Sequence, residues 1–182
     1  EFRIGRPEDY LTMSTGLSFP VEASKLPMKL DELCKHVKSV LPQYERLEMD
    51  LQDFLCKIIP QQVVREYTML FLSKCLSGEN RDEGFYIWTG SGGNGKSKLI
   101  DLVSQCLGQY FCNLPVALLT QKRKASGAAS PEMALTLGKR LAVMQEPDVN
   151  ETLNVGEMKE ITGNDKIQAR GLYKEPFEFT PQ

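Results

Sequence analysis

Apolar residues recur at helical spacing after an irregular beginning. Residues 1–29 contain three prolines and show no clean periodicity, so we expect a mostly irregular arm there. Helices are then predicted in turn, each closed by a proline or a glycine: 30–41 before Pro42, 47–59 before Pro60, and 63–75 before Gly78. We interpret the apolar stripe of each helix as part of the core and not as a binding groove.

Beyond residue 84 short apolar stretches alternate with helical ones, which predicts an α/β domain with a largely parallel sheet. Strands are predicted at 85–89, 116–119, 140–145 and 177–180, with 166–170 as one arm of a hairpin. Helices are predicted at 96–107, closed by Gly108, at 130–132, with Ser130 as N-cap and Pro131 in the first turn, and at 154–162, closed by Gly163. The stretches 85–89 and 140–145 are expected to be buried, the latter on both faces of the sheet.

Composition limits the functions that can be considered. The 182 residues are 41% hydrophobic and 25% charged, as in a globular protein, and no apolar run approaches the ~20 residues of a membrane-spanning helix, so no membrane is expected as a partner. A net charge of −2 argues against general coating of nucleic acid, so such contacts would need a local cluster of cations. The five cysteines show no CxxC spacing, which predicts reduced thiols, and His36 is expected to be structural.

The strongest chemical signal is a glycine-rich segment that fits G-x-x-x-x-G-K-[ST] in full: Gly90, Ser91, Gly92, Gly93, Asn94, Gly95, Lys96 and Ser97. Glycines let successive backbone N–H groups point at phosphates, and the following helix adds its positive N-terminal end. We predict that Lys96 reaches the β- and γ-phosphates of ATP and that the Ser97 hydroxyl binds Mg²⁺. A glycine-rich surface turn is the alternative, and the strand and helix predicted on either side disfavour it.

An acid follows the apolar stretch that begins at Leu141. P-loop enzymes need an acid at the end of a neighbouring strand to hold Mg²⁺ or to polarise the attacking water. Glu146 comes about fifty residues after Lys96, a usual interval, and we predict that it is a catalytic residue and a ligand of Mg²⁺. Asp148 is either a further metal ligand or a solvated turn residue.

A third segment, from Lys159 to Lys174, contains four basic and two acidic residues. Lys166 and Arg170 are separated by an even number of positions, so a strand would place both on one face. A basic hairpin tip beside an aromatic residue suits a nucleic-acid backbone, and the candidate contacts are Lys159, Lys166, Arg170 and Lys174. From these residues alone a solvated hairpin is the more common explanation.

These segments resemble a known family. GSGGNGKS, KRLAVMQEPD and MKEITGNDKIQARGLYKEPFEF are similar to motifs A, B and B′ of superfamily 3 helicases, and most closely to the D5-like primase-helicases of large DNA viruses, with plasmid and phage relatives. EDYLTMSTGL and LPQYERLEMDLQDFLCKIIP resemble the segment that precedes the helicase core in that family. The resemblance spans nearly the whole chain and divides it into an N-terminal arm and helical segment, 1–79, and a partial AAA+-like P-loop ATPase core, 80–182.

The resemblance implies a hexameric ring that hydrolyses ATP with Mg²⁺ between subunits and translocates along single-stranded DNA in its central channel. Lys96 and Ser97 carry over onto phosphate and Mg²⁺, and Glu146 onto the acid of motif B. Lys166 and Arg170 would lie on or near the channel hairpin, with Lys159 just before it. A primase domain upstream, other replication proteins, and the cytoplasm or nucleus of a virus-infected cell are further implications.

The chain departs from the family pattern in two ways. Gln145 stands where many P-loop ATPases have a second acid, so metal coordination would rest on Ser97, Glu146 and water. The sequence also stops at Gln182, whereas family members continue into motif C and an arginine finger, whose loss can reduce turnover by ~10³–10⁵. We therefore expect this chain, a C-terminally truncated core, to bind ATP but to hydrolyse it poorly and not to unwind DNA.

Two other functions remain open from the sequence. A P-loop small-molecule kinase would need a lid, for which only the stretch 121–124 is available, and it would leave the B′ similarity unexplained. An inactive P-loop module that serves as a scaffold or in oligomerisation is favoured by Gln145 and by the early end of the sequence.

Overall fold

The computed structural model describes residues 13–18, 28–41, 43–78, 80–121 and 129–181. Most of the predicted N-terminal arm and the basic residues 122–124 lie outside these ranges, and the predicted domain boundary at 79/80 stays a prediction. The helices are α1 (Leu30–Val40), α2 (Tyr44–Ile58), α3 (Gln62–Lys74), α4 (Lys96–Leu107), α5 (Ala117–Thr120), α6 (Pro131–Ala134) and α7 (Val155–Thr162). The strands are β1 (Phe111–Leu114), β2 (Leu141–Met144), β3 (Ile167–Ala169) and β4 (Phe177–Phe179).

The helices of the N-terminal segment end where proline and glycine predict. α1 ends two residues before Pro42 and α2 ends two residues before Pro60, because the residue before a proline is displaced from helical geometry. α3 ends at Lys74, and Gly78, with φ +70°, closes the turn that follows. Gly78 thus adopts the left-handed conformation predicted for it, at the end of that turn and not at the helix cap.

The apolar stripes of these helices are only partly buried. Leu55 of α2 is 3% exposed, and it packs with Cys75 against α4. Other stripe residues are between 41% and 78% exposed: Leu47, Leu51, Val63, Val64 and Leu70. The interpretation of these stripes as core is therefore wrong for much of α2 and α3.

The helix that follows the glycine-rich loop anchors the larger core cluster. Leu99, Val103 and Leu107 of α4 are buried, and they join the α2–α3 segment to the α/β part of the chain. α4 ends at Leu107 as predicted, and Gly108, with φ +52°, begins a 3-10 turn that leads into β1. The described part of the arm docks here, where the Ser14 backbone exchanges hydrogen bonds with Gln109 at 2.8 and 3.1 Å.

The α/β class is confirmed, although the sheet is smaller and less uniformly parallel than predicted. β1 and β2 pair in parallel, with Phe111 opposite Leu141 and Leu114 opposite Met144. β3 and β4 form the predicted hairpin, an antiparallel pair. The described residues therefore contain one parallel and one antiparallel pair of strands in place of a largely parallel sheet.

The predicted strand at 85–89 is not observed. The segment belongs to no strand, and Phe85 and Ile87 are exposed. Tyr86 and Trp88 instead turn toward α3, with ring centroids 4.1 and 6.4 Å from that of Phe71. Aromatic packing on one side therefore replaces burial within a sheet.

Two further strand predictions need correction. The chain turns after Pro115 into α5, where Leu118 donates a backbone hydrogen bond to the Pro115 carbonyl, so 116–119 is not a strand. The true strand, β1, lies just before Pro115. β2 forms within 140–145 as predicted, but Ala142 is exposed, so the strand is not buried on both faces. Within the described ranges, no helix has the length and apolarity that crossing a membrane requires.

Candidate nucleotide site and hairpin

The glycine-rich loop turns directly into α4. Gly95 is the N-cap, with φ +84°, and Gly93 has φ +73°, so both adopt a conformation that side chains with a Cβ rarely accept. A Cβ at Gly95 would also collide with Ile58 of α2. Lys96 and Ser97 are therefore the first two residues of the helix, where backbone N–H groups and the helix dipole favour an anion.

Lys96 folds back over its own loop. Its Nζ donates hydrogen bonds to the Gly90 carbonyl and to Asn94 Oδ1, both at 3.2 Å. A Cβ at Gly90 would meet the Nδ2 end of the Asn94 side chain, which would have to move to accommodate it. At Gly92 no heavy atom of the described residues comes within 4 Å of such a Cβ, so packing gives no reason for glycine at that position.

Three of the predicted site residues line one cavity. Lys96 and Ser97 border it from α4, and Glu146 borders it from the loop that follows β2. The cavity measures about 1000 Å³, the upper end of the range for small-molecule sites. Its remaining walls come from α3 and the extended segment that follows it, from β1 and β2, from α5 and the residue before it, from the end of α7, and from Pro181.

The oxygen donors at this cavity fit Mg²⁺ that arrives with a nucleotide. The Ser97 hydroxyl and the Glu146 carboxylate are hard oxygen ligands, and Mg²⁺ is commonly held by one or two such groups together with substrate phosphates and water. In the part of the chain that the structure describes, no cluster of three or more His, Cys, Asp or Glu side chains could hold a metal by itself.

Asp148 lies outside the cavity lining. Its backbone N–H donates to Glu151 Oε2 and its carbonyl accepts from the Glu151 N–H, both at 2.9 Å, which forms a solvated turn. Of the two interpretations given for Asp148, the turn residue agrees with this geometry. Asn113 of β1, which does line the cavity, was missed because its strand was predicted too late in the chain.

Three groups at or beside the cavity stay neutral at physiological pH. Burial raises the pKa of the Tyr86 hydroxyl and of the Cys75 thiol, which line the cavity, and burial also raises the pKa of the Cys112 thiol on β1. All five cysteines are free thiols, in agreement with the sequence.

A pair of asparagines links the cavity to the hairpin. Asn80 Nδ2 donates to the Thr162 carbonyl at 2.8 Å, and Thr162, the last residue of α7, lines the cavity. Asn164 Nδ2 donates to the Asn80 carbonyl at 3.0 Å and to Glu83 Oε1 at 2.7 Å. We call these two residues the asparagine link. Sequence analysis missed it, since nothing in the local pattern distinguishes either residue from an ordinary loop amide.

The hairpin has one buried and one exposed face. Ile167 and Ala169 are each 1% exposed, and they pack with Met133 and Phe179. The positions that alternate with these two are exposed: Lys166, Gln168 and Arg170. Lys166 and Arg170 flank β3 and are both exposed, as the alternation predicts, while their contact with DNA stays a prediction.

Acidic residues offset the cations of this hairpin. Glu178 lies opposite Gln168, on the exposed face, and Glu175 follows Lys174. From residue 165 to residue 178 three basic and three acidic side chains occur, so the hairpin has no net charge. Lys159 is exposed on α7, outside the hairpin.

Sequence comparison finds relatives in large DNA viruses, while no protein-family profile matches the chain. A protein of Acanthamoeba polyphaga mimivirus named "Putative helicase" is 40% identical over 181 residues, which cover 100% of this chain and 17% of the relative. A "Putative helicase" of Frog virus 3 is 37% identical over 132 residues, 70% of this chain and 14% of the relative. A "Putative primase" of African swine fever virus is 29% identical over 133 residues, 71% of this chain and 14% of the relative. The chain thus spans about a sixth of the length of these relatives.

Proposed function

This chain belongs to the helicases and primases of large DNA viruses, the D5-like primase-helicase family, and we propose that it is the ATP-binding module of a DNA helicase. The observation that carries the proposal is the shared cavity of Lys96, Ser97 and Glu146. These residues come from two sequence segments about fifty positions apart, and each supplies a group that phosphate and metal binding requires.

In the proposed site the phosphates of ATP replace the internal partners of Lys96. The Nζ leaves the Gly90 carbonyl and Asn94 and binds the β- and γ-phosphates, while the backbone N–H groups of the loop surround them. Mg²⁺ bound with the nucleotide would neutralise the developing charge on the phosphates. Ser97 would help to hold the metal, and Glu146 would accept a proton from the attacking water.

The ligand proposed for the hairpin is single-stranded DNA. Lys166 and Arg170 face solvent together, and the asparagine link joins the loop before β3 to the segment before the glycine-rich loop. We propose that ATP binding and hydrolysis move the hairpin along the strand in the whole helicase, and that this chain alone binds ATP but hydrolyses it poorly. Assembly into a hexameric ring, a primase domain elsewhere in the protein, and viral DNA replication in the cytoplasm or nucleus of an infected cell complete the proposal.

The test is Mg²⁺-dependent ATP binding, measured by calorimetry on the 182-residue chain. We expect Lys96→Ala to weaken binding by about 10- to 150-fold, the effect of one charge-assisted hydrogen bond or slightly more. Lys98→Ala is the matched control, because Lys98 is an exposed lysine of the same helix that lies 3.5 Å from Asp101. Equal binding by the Lys96 and Lys98 variants would contradict the proposed site.

The DNA part of the proposal has its own test. Binding of a single-stranded oligonucleotide should weaken as salt is raised, and Lys166→Ala/Arg170→Ala should reduce the slope of log affinity against log salt by about 1.4 for two phosphate contacts. An unaltered slope would contradict the assignment of these two residues. An unaltered chain that fails to bind ATP would favour an inactive scaffold, whereas phosphoryl transfer to a small acceptor would favour a kinase.

A further inference from the structure

The tip of the hairpin exposes an aromatic ring on a strained backbone. Tyr173 is fully exposed, and its φ of +57° lies in the left-handed region. That conformation costs a non-glycine residue about 1–2 kcal/mol. Leu172 beside it is 61% exposed. Packing within the described residues therefore accounts neither for the exposed ring nor for the strained backbone.

The tip is nevertheless held in place. Arg170 Nε donates to the Lys174 carbonyl at 3.0 Å, and the Lys174 N–H donates to the Gly171 carbonyl at 3.3 Å. The end of β3 next to the tip is fixed by Ser130, whose N–H donates to the Arg170 carbonyl at 2.8 Å and whose Oγ accepts from the Arg170 N–H at 3.2 Å. A side chain presented from such a support loses little conformational freedom when it binds.

The charges around the tip indicate what the ring can bind. Since the hairpin has no net charge, long-range attraction to a polyanion is weak, and phosphate contacts are limited to its individual cations. A double helix presents phosphates outward and keeps the faces of its bases stacked inside. A single strand also offers the faces of its bases, and each base stacked on an aromatic side chain adds affinity that does not depend on sequence.

We propose that Tyr173 stacks on an unpaired base, so that the hairpin tip selects single-stranded over duplex nucleic acid. Lys166 and Arg170 would contact the phosphates on the exposed face of the hairpin, and Tyr173 would contact the base at its end. The inference rests on the proposed function of the hairpin and specifies how it recognises its ligand.

The test compares two substitutions at one position. Tyr173→Gly removes the ring and relieves the left-handed backbone, so it should leave the melting temperature equal or higher. It should weaken binding of an oligothymidylate by about 5- to 150-fold, without changing the salt slope. Tyr173→Phe keeps the ring and should bind as the unaltered chain does. A duplex of the same length should bind more weakly than the single strand, and Tyr173→Gly should reduce that difference.

Several results would overturn the proposal. Unchanged oligothymidylate binding by Tyr173→Gly would show that the ring is not used, and equal weakening by Tyr173→Phe would show that the hydroxyl is used in place of the ring. A reduced salt slope in Tyr173→Gly would mean that the tip acts by positioning cations. If the unaltered chain binds no oligonucleotide, the proposed DNA function fails as well. Normal oligonucleotide binding together with an ineffective Tyr173→Gly would refute the stacking alone.

Discussion

The glycine-rich loop and the hairpin present different groups at the protein surface, the loop its backbone and the hairpin its side chains. The loop uses the backbone: Gly93 and Gly95 take left-handed conformations, Gly92 is open to solvent, and Lys96 bonds to the loop itself. The hairpin uses side chains, which project from a buried base, and even its strained residue is a tyrosine. Glycine in the loop allows close approach of a ligand, whereas the hairpin keeps an exposed ring where glycine would be less strained.

This difference suits the two regions to ligands of different chemistry. A loop of backbone N–H groups suits a compact anion that approaches from one direction, such as the phosphates of a nucleotide. An exposed ring on a fixed turn, with its nearby charges balanced, suits a flat apolar surface such as a base. The asparagine link connects the two regions through the end of α7.

The largest effects are expected in the loop, where two alanine substitutions separate stability from binding. In Gly92→Ala the new Cβ meets open space, so the free energy of unfolding should stay within about 0.5 kcal/mol of the unaltered value. The same Cβ would block the phosphates, so the ATP affinity should fall by about 10- to 100-fold. Gly95→Ala, at φ +84° and against Ile58, should lower the free energy of unfolding by at least about 1–2 kcal/mol. Chemical denaturation and calorimetry measure both, and normal ATP affinity in Gly92→Ala would contradict close approach of phosphate.

A smaller effect is expected at Glu146, the acid that lines the same cavity as Lys96. Glu146→Gln should weaken Mg²⁺ binding in the presence of ATP by about tenfold, because it removes one charged ligand from the cavity. Asp148→Asn serves as the matched control, since Asp148 lies in a turn outside the cavity lining and should have no effect. A Mg²⁺ titration with saturating ATP distinguishes the two, and an equal loss in both variants would contradict the assignment of Glu146 as the metal ligand.

The smallest effect is expected at the asparagine link, between the two regions. Asn164→Ala removes hydrogen bonds to Asn80 and Glu83, so the change in DNA affinity caused by ATP should shrink by about two- to tenfold, the value of one hydrogen bond or slightly more. The affinity for each ligand alone should be preserved. Asn150→Ala, in an exposed turn, is the control. If ATP changes the DNA affinity by the same factor in the Asn164 and Asn150 variants, the two regions are coupled by another route.

The parts of the fold that local chemistry determines were predictable. Pro42 and Pro60 mark the ends of α1 and α2, and Gly108 marks the end of α4, because proline and glycine restrict or release the backbone wherever they occur. The two faces of β3 follow from strict alternation, and the glycine-rich motif predicted the turn into α4 at Lys96.

Features that depend on distant partners were not predictable. The segment 85–89 has strand composition, yet whether it joins a sheet depends on a neighbouring strand, and here it packs on Phe71. The asparagine link joins residues 84 positions apart. The balance of positive and negative charge on the hairpin depends in part on Glu178, which is brought opposite Gln168 by strand pairing. The partial exposure of the α2 and α3 stripes likewise depends on what packs beside them, which periodicity does not specify.

The central claim is that nucleotide binding at the glycine-rich loop changes DNA binding at the hairpin. The most direct test is the affinity for single-stranded DNA with and without Mg²⁺ and ATP. Fluorescence anisotropy with a labelled oligothymidylate should show a change of at least about fivefold on addition of nucleotide, and Lys96→Ala should abolish that change. An oligonucleotide affinity that is the same with and without saturating ATP would contradict the account.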